Sequence, residues 1–120
     1  MVKIRIAVAT NGKDGLEDVV SNVFGRAKTF TILDAEDEKI KVISIVENPG
    51  ISYKYGAGPI VAKMLADEGV DIVIAYVLGA GADGLLKQNN IKQVAIKPNT
   101  TVEKATREAL RIQKDGGDRG

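Results

Sequence analysis

The chain contains no cysteine, no histidine and no tryptophan. Without cysteine there is no disulfide framework, no zinc finger and no thiolate nucleophile. Without histidine, the serine-histidine-aspartate arrangement and the HExxH metal helix are excluded, and no side chain titrates near neutrality by default. Aromatic residues make up only 4%, so Phe24, Phe30, Tyr53, Tyr55 and Tyr76 are the whole supply of rings for stacking on bases. Lys and Arg number 17 against 16 Asp and Glu, a formal net charge of +1. That balance leaves no electrostatic footprint for a phosphate backbone, and no nucleic-acid partner is expected. The longest apolar runs, such as Val70 to Leu78, are interrupted by Asp71 and are far shorter than a bilayer span, so no membrane segment is expected. Met1-Val2-Lys3-Ile4-Arg5-Ile6 is already strand-like and lacks a separate apolar signal region, which makes a cytoplasmic location the expectation.

What is present is ordinary for a soluble globular protein: 120 residues, 44% hydrophobic and 28% charged. One domain is expected over residues 1–113, with a flexible polar tail over 114–120. Ile4, Ile6 and Val8 alternate with Arg5, Ala7 and Ala9 and predict a strand over 3–9, closed by a turn at Asn11-Gly12. Residues 13–27 carry helical spacing broken by glycines and read as a loop with one helical turn. Two β-rich runs, 29–34 and 40–46, flank the acidic stretch Ala35 to Glu38 and read as a hairpin with a solvated turn.

The grammar then changes. Gly56-Ala57-Gly58-Pro59 opens a helix whose Ile60, Val61, Met64 and Leu65 form one apolar stripe, and Gly69 ends it. Val70 to Val77 has almost no polar alternation, the pattern of a strand covered on both faces, and is the candidate central strand. Gly79-Ala80-Gly81-Ala82 opens a short helix carrying Leu85 and Leu86, Asn89-Asn90 closes it, and Ile91 to Ile96 makes a last short strand. Thr100 with Glu103 forms a capping-box pattern before a helix over Val102 to Gln113.

The order βββαβαβα predicts an α/β protein with a mixed five-stranded sheet between helical layers, a three-layer α/β/α arrangement. This connectivity is similar to a ribonuclease H-like domain; a flavodoxin-like layout is the alternative. If strands one, three, four and five run the same way, segments 10–27, 47–58, 78–82 and 97–101 leave one edge of the sheet, where open α/β sheets bind ligands. Gly56, Gly58, Gly79 and Gly81 stand directly before helices, where backbone N–H groups attract anions, and Arg26, Lys54 and Lys97 add positive charge. A pocket for an anionic ligand follows, although Arg26 is equally able to pair with Asp34 and each glycine can serve turn geometry alone. Catalysis finds little support. A metal-dependent nuclease of the ribonuclease H type needs a carboxylate on the first strand, and residues 3–9 contain none. Neither a phosphate loop nor a nucleophile-base pair is present.

Ser21-Asn22-Val23-Phe24-Gly25-Arg26-Ala27, Glu47-Asn48-Pro49-Gly50, Gly56-Ala57-Gly58-Pro59, Gly69 to Ile74, Gly79 to Ala82, Gly84-Leu85-Leu86 and Thr101 to Ala105 occur in a set order. In that order and spacing, over about residues 3–112, the chain resembles the dinitrogenase iron-molybdenum cofactor biosynthesis family. The resemblance implies a ribonuclease H-like domain that is not an enzyme. It further implies a carrier for the iron-molybdenum cofactor or an iron-sulfur precursor. Where the family commonly has histidine before Phe-Gly-Arg, this chain has Val23, so any cluster would be held without His or Cys ligands. The candidate cofactor-binding residues are Asn11, Phe24, Gly25, Arg26, Lys54, Gly56, Gly58, Gly79 and Gly81; no catalytic or metal-ligating residue is assigned. The expected partners are a small anionic ligand and a protein partner, with the chain a monomer or weak homodimer. A regulatory module binding a nucleotide or phosphate, or one with a vestigial pocket, is the alternative.

Overall fold

The computed structural model describes residues 3–53, 56–78 and 82–117, with side chains as far as Gln113. The strands are β1 (Lys3–Thr10), β2 (Thr29–Glu36), β3 (Lys39–Glu47), β4 (Ile72–Ile74) and β5 (Lys92–Val94). The helices are α1 (Ala57–Asp67), α2 (Ala82–Gln88) and α3 (Val102–Gly117), and a single 3-10 turn spans Gly15–Glu17. The sheet order is β3-β2-β1-β4-β5. β1 pairs antiparallel with β2 and parallel with β4, β2 pairs antiparallel with β3, and β4 pairs parallel with β5. A mixed five-stranded sheet is therefore confirmed, and its antiparallel half rules out the flavodoxin-like alternative.

Each face of the sheet carries its own core. Ala7, Ala9, Phe30, Ile32 and Val73 pack against Val61, Ala62 and Leu65 of α1 and Leu86 of α2. On the other face Ile6, Val8, Leu33, Ile72 and Ile74 pack against Val102, Ala105 and Ala109 of α3. The period-two alternation of β1 thus serves two apolar layers, because both of its faces are covered.

Helix ends follow local chemistry. At the end of α1 the N–H of Val70 donates to Leu65 O at 3.1 Å and that of Gly69 to Ala66 O at 3.0 Å, a Schellman stop. α2 ends the same way at Asn90, whose φ is +59°, with Ile91 N donating to Leu86 O at 2.9 Å. Both stops stand where Gly69 and Asn89-Asn90 predict them. The expected capping box is displaced by one residue. Thr101, not Thr100, caps α3 by accepting from Lys104 N at 3.3 Å, which puts Glu103 one position too early to reach back. Glu103 instead meets Arg107 one turn later at 3.5 Å. α3 also continues past Gln113 to Gly117, into the segment expected to be a tail.

Two strand expectations need correction. β1, not the fourth strand, is central, since it alone joins the antiparallel hairpin to the parallel pair. The fourth strand covers only Ile72–Ile74 of the expected 70–77. Val70 is consumed by the α1 stop, Ala75 still donates to Val94 O at 3.2 Å, and Tyr76 and Val77 turn outward into solvent. The last strand likewise shortens from 91–96 to Lys92–Val94, while Ile91 and Ile96 are buried on opposite faces. Among the described residues no helix is long and apolar enough to cross a membrane.

The edge where β1 begins is tied by Arg5. Its Nε donates to Asp34 Oδ1 at 2.9 Å, Nη2 to Oδ2 at 3.2 Å, and Nη1 to Glu68 O beyond the end of α1 at 2.9 Å. The Arg5 hydrogen bond and charge hold the Asp34 carboxyl below its ordinary value, against an opposing effect of burial. A lowered folded-state pKa means that the unfolded chain binds more protons in acid, so stability rises with pH there. The contribution is complete above the ordinary carboxylate pKa and is lost as the pH falls from there through the folded-state value. Urea midpoints measured across that acid range are expected to fall less steeply for Asp34→Asn than for wild type; parallel curves would show the pair to be without effect.

Candidate functional site

Because β1, β3, β4 and β5 run in one direction, their carboxyl ends share an edge. The connections leaving that edge are those after β1, β3, β4 and β5, which is the geometry expected for a ligand site in an open α/β sheet.

The first connection is laid down by backbone hydrogen bonds. Ser21 N donates to Ala9 O at 2.8 Å, Val20 N to Thr100 O at 2.9 Å, and Val102 N to Asp18 O at 2.8 Å, so residues 18–21 lie between β1 and the start of α3. Beneath them, Thr10 Oγ1 meets Thr29 Oγ1 at 2.6 Å and Thr31 Oγ1 at 3.0 Å, and Thr29 Oγ1 donates to Gly12 O at 2.6 Å. The chain then crosses to the α1 face. Phe24, 1% exposed, is buried there edge-on to Phe30 with ring centroids 5.7 Å apart. As a candidate binding residue Phe24 is therefore corrected: its ring anchors the loop from below and has no surface to offer a ligand.

Asn48 joins the first connection to the second. Its Nδ2 donates to Gly25 O at 2.9 Å and Ala27 O at 2.8 Å, while its Oδ1 accepts from Gly50 N at 2.7 Å. The amide is a match for this position because it supplies donors and an acceptor from one planar group. Gly50 is held so close that a Cβ there would stand 3.0 Å from Ala57 O.

The start of α1 is the meeting point. Gly56 adopts φ +77° as its N-cap and offers no side-chain acceptor to the first-turn amides. A Cβ on Gly25 would lie 3.4 Å from Gly58 N, and one on Gly58 would lie 3.6 Å from Ala82 Cβ at the start of α2. Small residues thus let the first connection, α1 and α2 converge. Arg26 is exposed and its Nη1 reaches Ile51 O at 3.5 Å, so the guanidinium spans the first two connections. The alternative pairing with Asp34 does not occur, because that carboxylate is committed to Arg5 near the opposite edge.

Asn11 lies at one side of this edge, in a groove of about 350 Å3 that it shares with Gly12, Lys13, Lys28, Thr29, Glu47, Asn48 and Ile51. Lys13 Nζ is 2.9 Å from Glu47 Oε1, and that hydrogen bond lowers the Glu47 pKa. A larger groove of about 720 Å3 lies away from this edge, between α2, β5 and α3. Of the expected site residues, Gly25 stands against Gly58 at the start of α1, next to Arg26 and the N-cap Gly56, while Asn11 lies apart in the side groove. Lys54, Gly79 and Gly81 lie outside the described residues.

Sequence reasoning missed Asn48, the threonine cluster and an apolar rim. Of the seven large apolar side chains exposed among the described residues, Val23, Ile51, Tyr53, Tyr76 and Val77 sit on these connections. Five of the seven thus stand on one edge instead of being scattered over the surface. Asn48 was signalled only by its place before Pro49-Gly50 at a strand end. Among the described residues no group of three or more His, Cys, Asp or Glu side chains could hold a metal ion.

Fold and site together define a small α/β/α domain with a loop-built, glycine-lined edge. The chain belongs to the family described as dinitrogenase iron-molybdenum cofactor, whose model matches residues 2–111. It is similar to the orange protein of Desulfovibrio gigas, solved in its apo form, with 31% identity, 91% of this chain and 88% of that chain covered, and a TM-score of 0.79. It is also similar to a Thermotoga protein of the DUF35 family solved by NMR, at 33% identity over 90% of this chain and 88% of that one, with a TM-score of 0.72. An uncharacterised protein of Methanocaldococcus jannaschii is 35% identical over 78 residues, 65% of this chain and 64% of its own length. The match thus spans just under two thirds of that curated relative.

Proposed function

We propose that this protein is a small non-enzymatic carrier for an anionic metallocofactor, the iron-molybdenum cofactor or an iron-sulfur precursor. The observation that carries the reading is the start of α1, where uncapped first-turn amides stand against Gly25 within reach of the loop bearing Arg26. Amides at a helix start and a guanidinium hold an anion without ligating it, which suits a chain that lacks His and Cys. The family to which the chain belongs supports the choice of cargo. The apolar rim supports it too, because a bulky cargo needs nonpolar contact as well as charge.

Anaerobic titration with isolated iron-molybdenum cofactor tests the reading. Saturable uptake is expected, weakened roughly ten-fold by Arg26→Ala through loss of one charge-assisted contact. No uptake by wild type, or equal uptake by the variant, overturns this site. Exposed Tyr53 and Tyr76 favour a second reading, a regulatory module that stacks a nucleotide on the rim. Thermal-shift measurements with phosphorylated metabolites separate the two, since a ligand at a hundred times its Kd stabilises by about 2.7 kcal/mol.

A further inference from the structure

We infer that Asn11-Gly12 is a site of spontaneous modification, at which loss of the Asn11 side-chain amide places a carboxylate in the groove beside the proposed cofactor site. Of the six asparagines, at 11, 22, 48, 89, 90 and 99, only Asn11 precedes a glycine; the others precede Val23, Pro49, Asn90, Ile91 and Thr100. The structure leaves this dipeptide open to reaction. Asn11 is exposed and lies beyond the end of β1, outside helix and strand. Its carboxamide has no hydrogen-bond partner among the described residues, and neither has the N–H of Gly12. Thr29 holds the Gly12 carbonyl at 2.6 Å, which keeps the residue in place without engaging its nitrogen.

The chemistry needs only water. The deprotonated Gly12 nitrogen attacks Cγ of Asn11, a new N–C bond forms, and the side-chain nitrogen leaves as ammonia, giving a five-membered succinimide. Water then opens the ring at either carbonyl and returns Asp or isoaspartate. Nothing is oxidised or reduced. The missing Cβ of Gly12 removes the main obstacle to the attack.

The consequence comes from where the new charge arrives. The groove is lined by Lys13 and Lys28 against the single carboxylate of Glu47. A carboxylate at residue 11 cancels that one-charge excess, and it competes with Glu47 for Lys13. The consequence, though not the modification, rests on the proposed anionic cargo: an aged protein would hold it less tightly than a fresh one.

The test follows the full chain stored at neutral pH and body temperature. Trypsin cuts after Arg5 and Lys13, so Asn11 is isolated in the peptide Ile6–Lys13, in which mass spectrometry separates Asn from its hydrolysed products, and chromatography separates Asp from the isobaric isoaspartate. Conversion at Asn11 is expected to outpace that at Asn22, Asn89 and Asn99, and Gly12→Ala is expected to slow it roughly ten-fold or more by restoring the Cβ. That variant is tolerable in the fold, since a Cβ on Gly12 would meet Asp18 Oδ2 at an ordinary 3.4 Å. Conversion no faster than at the other asparagines, or unchanged by Gly12→Ala, overturns the modification. With isolated iron-molybdenum cofactor as the probe, Asn11→Asp is expected to take it up roughly five-fold more weakly than fresh wild type, the size of one nearby exposed charge. Stored wild type is expected to decline toward that level. Equal uptake by Asn11→Asp and fresh wild type overturns the consequence alone. No uptake by fresh wild type overturns the proposed function and the consequence together, while the peptide masses still decide the modification.

Discussion

Phe24→Ala is expected to lower the stability of the fold by about 3–5 kcal/mol, the usual cost of emptying a buried aromatic site. The ring is 1% exposed and sits edge-on to Phe30 at an interplanar angle of 74°, an arrangement that contributes beyond its buried area. Truncation would leave a cavity between the first connection and the α1 face of the sheet, and it would release the backbone that presents Gly25 and Arg26. The neighbouring Val23 provides the contrast. It is 45% exposed, and Val23→Ala is expected to change stability by no more than about 0.5 kcal/mol. Urea unfolding followed by far-ultraviolet circular dichroism measures both, there being no tryptophan to report by fluorescence. A loss below about 1 kcal/mol for Phe24→Ala would mean that the ring is not packed as described.

Asn48→Ala is expected to cost about 2–4 kcal/mol, since it leaves Gly25 O, Ala27 O and Gly50 N without their partner in a poorly solvated position. Asn48→Asp provides the sharper test. It preserves size and the acceptor for Gly50 N, but it sets a carboxylate oxygen against two carbonyl oxygens. It is expected to be at least as destabilising as the alanine variant. Both variants should speed hydrogen exchange of the amides in the first and second connections more than in β1, because these loops are joined through this side chain. An Asp variant as stable as wild type would show that the donor bonds of Asn48 hold nothing together.

These two residues mark the limit of what could be read from the chain alone. Phe24 was legible as part of the site's loop but not as its buried anchor, because a ring between Val23 and Gly25 carries no local sign of which way it turns. Asn48 stands in plain view before Pro49-Gly50, yet the two carbonyls to which it donates are 23 and 21 residues away. Arg26 and Asp34 were a reasonable pair by charge; the sheet register instead sets Arg5 opposite Asp34. The apolar run Val70 to Val77 likewise reads as one long strand. Only the sheet decides that three of those residues pair with β1 and β5 while Tyr76 and Val77 leave for the rim.

By itself the sequence determined whatever is settled within a few residues. That includes a hairpin turn within Ala35 to Glu38, which the structure narrows to Asp37-Glu38 by extending β2 to Glu36, with Asp37 at φ +58°, the stops at Gly69 and Asn90, the alternation of β1, and the element order with its mixed sheet. These follow from backbone sterics, short hydrogen bonds and hydrophobic period, which act along the chain. It also determined that no histidine or cysteine can ligate a cluster. The tertiary structure alone decided that β1 is central, that Asn48 ties two loops, that small residues let α1 and α2 begin side by side, and that five exposed apolar side chains gather on one edge. Each of these depends on groups distant in sequence meeting across the sheet, and such meetings are set by register and packing rather than by any local preference.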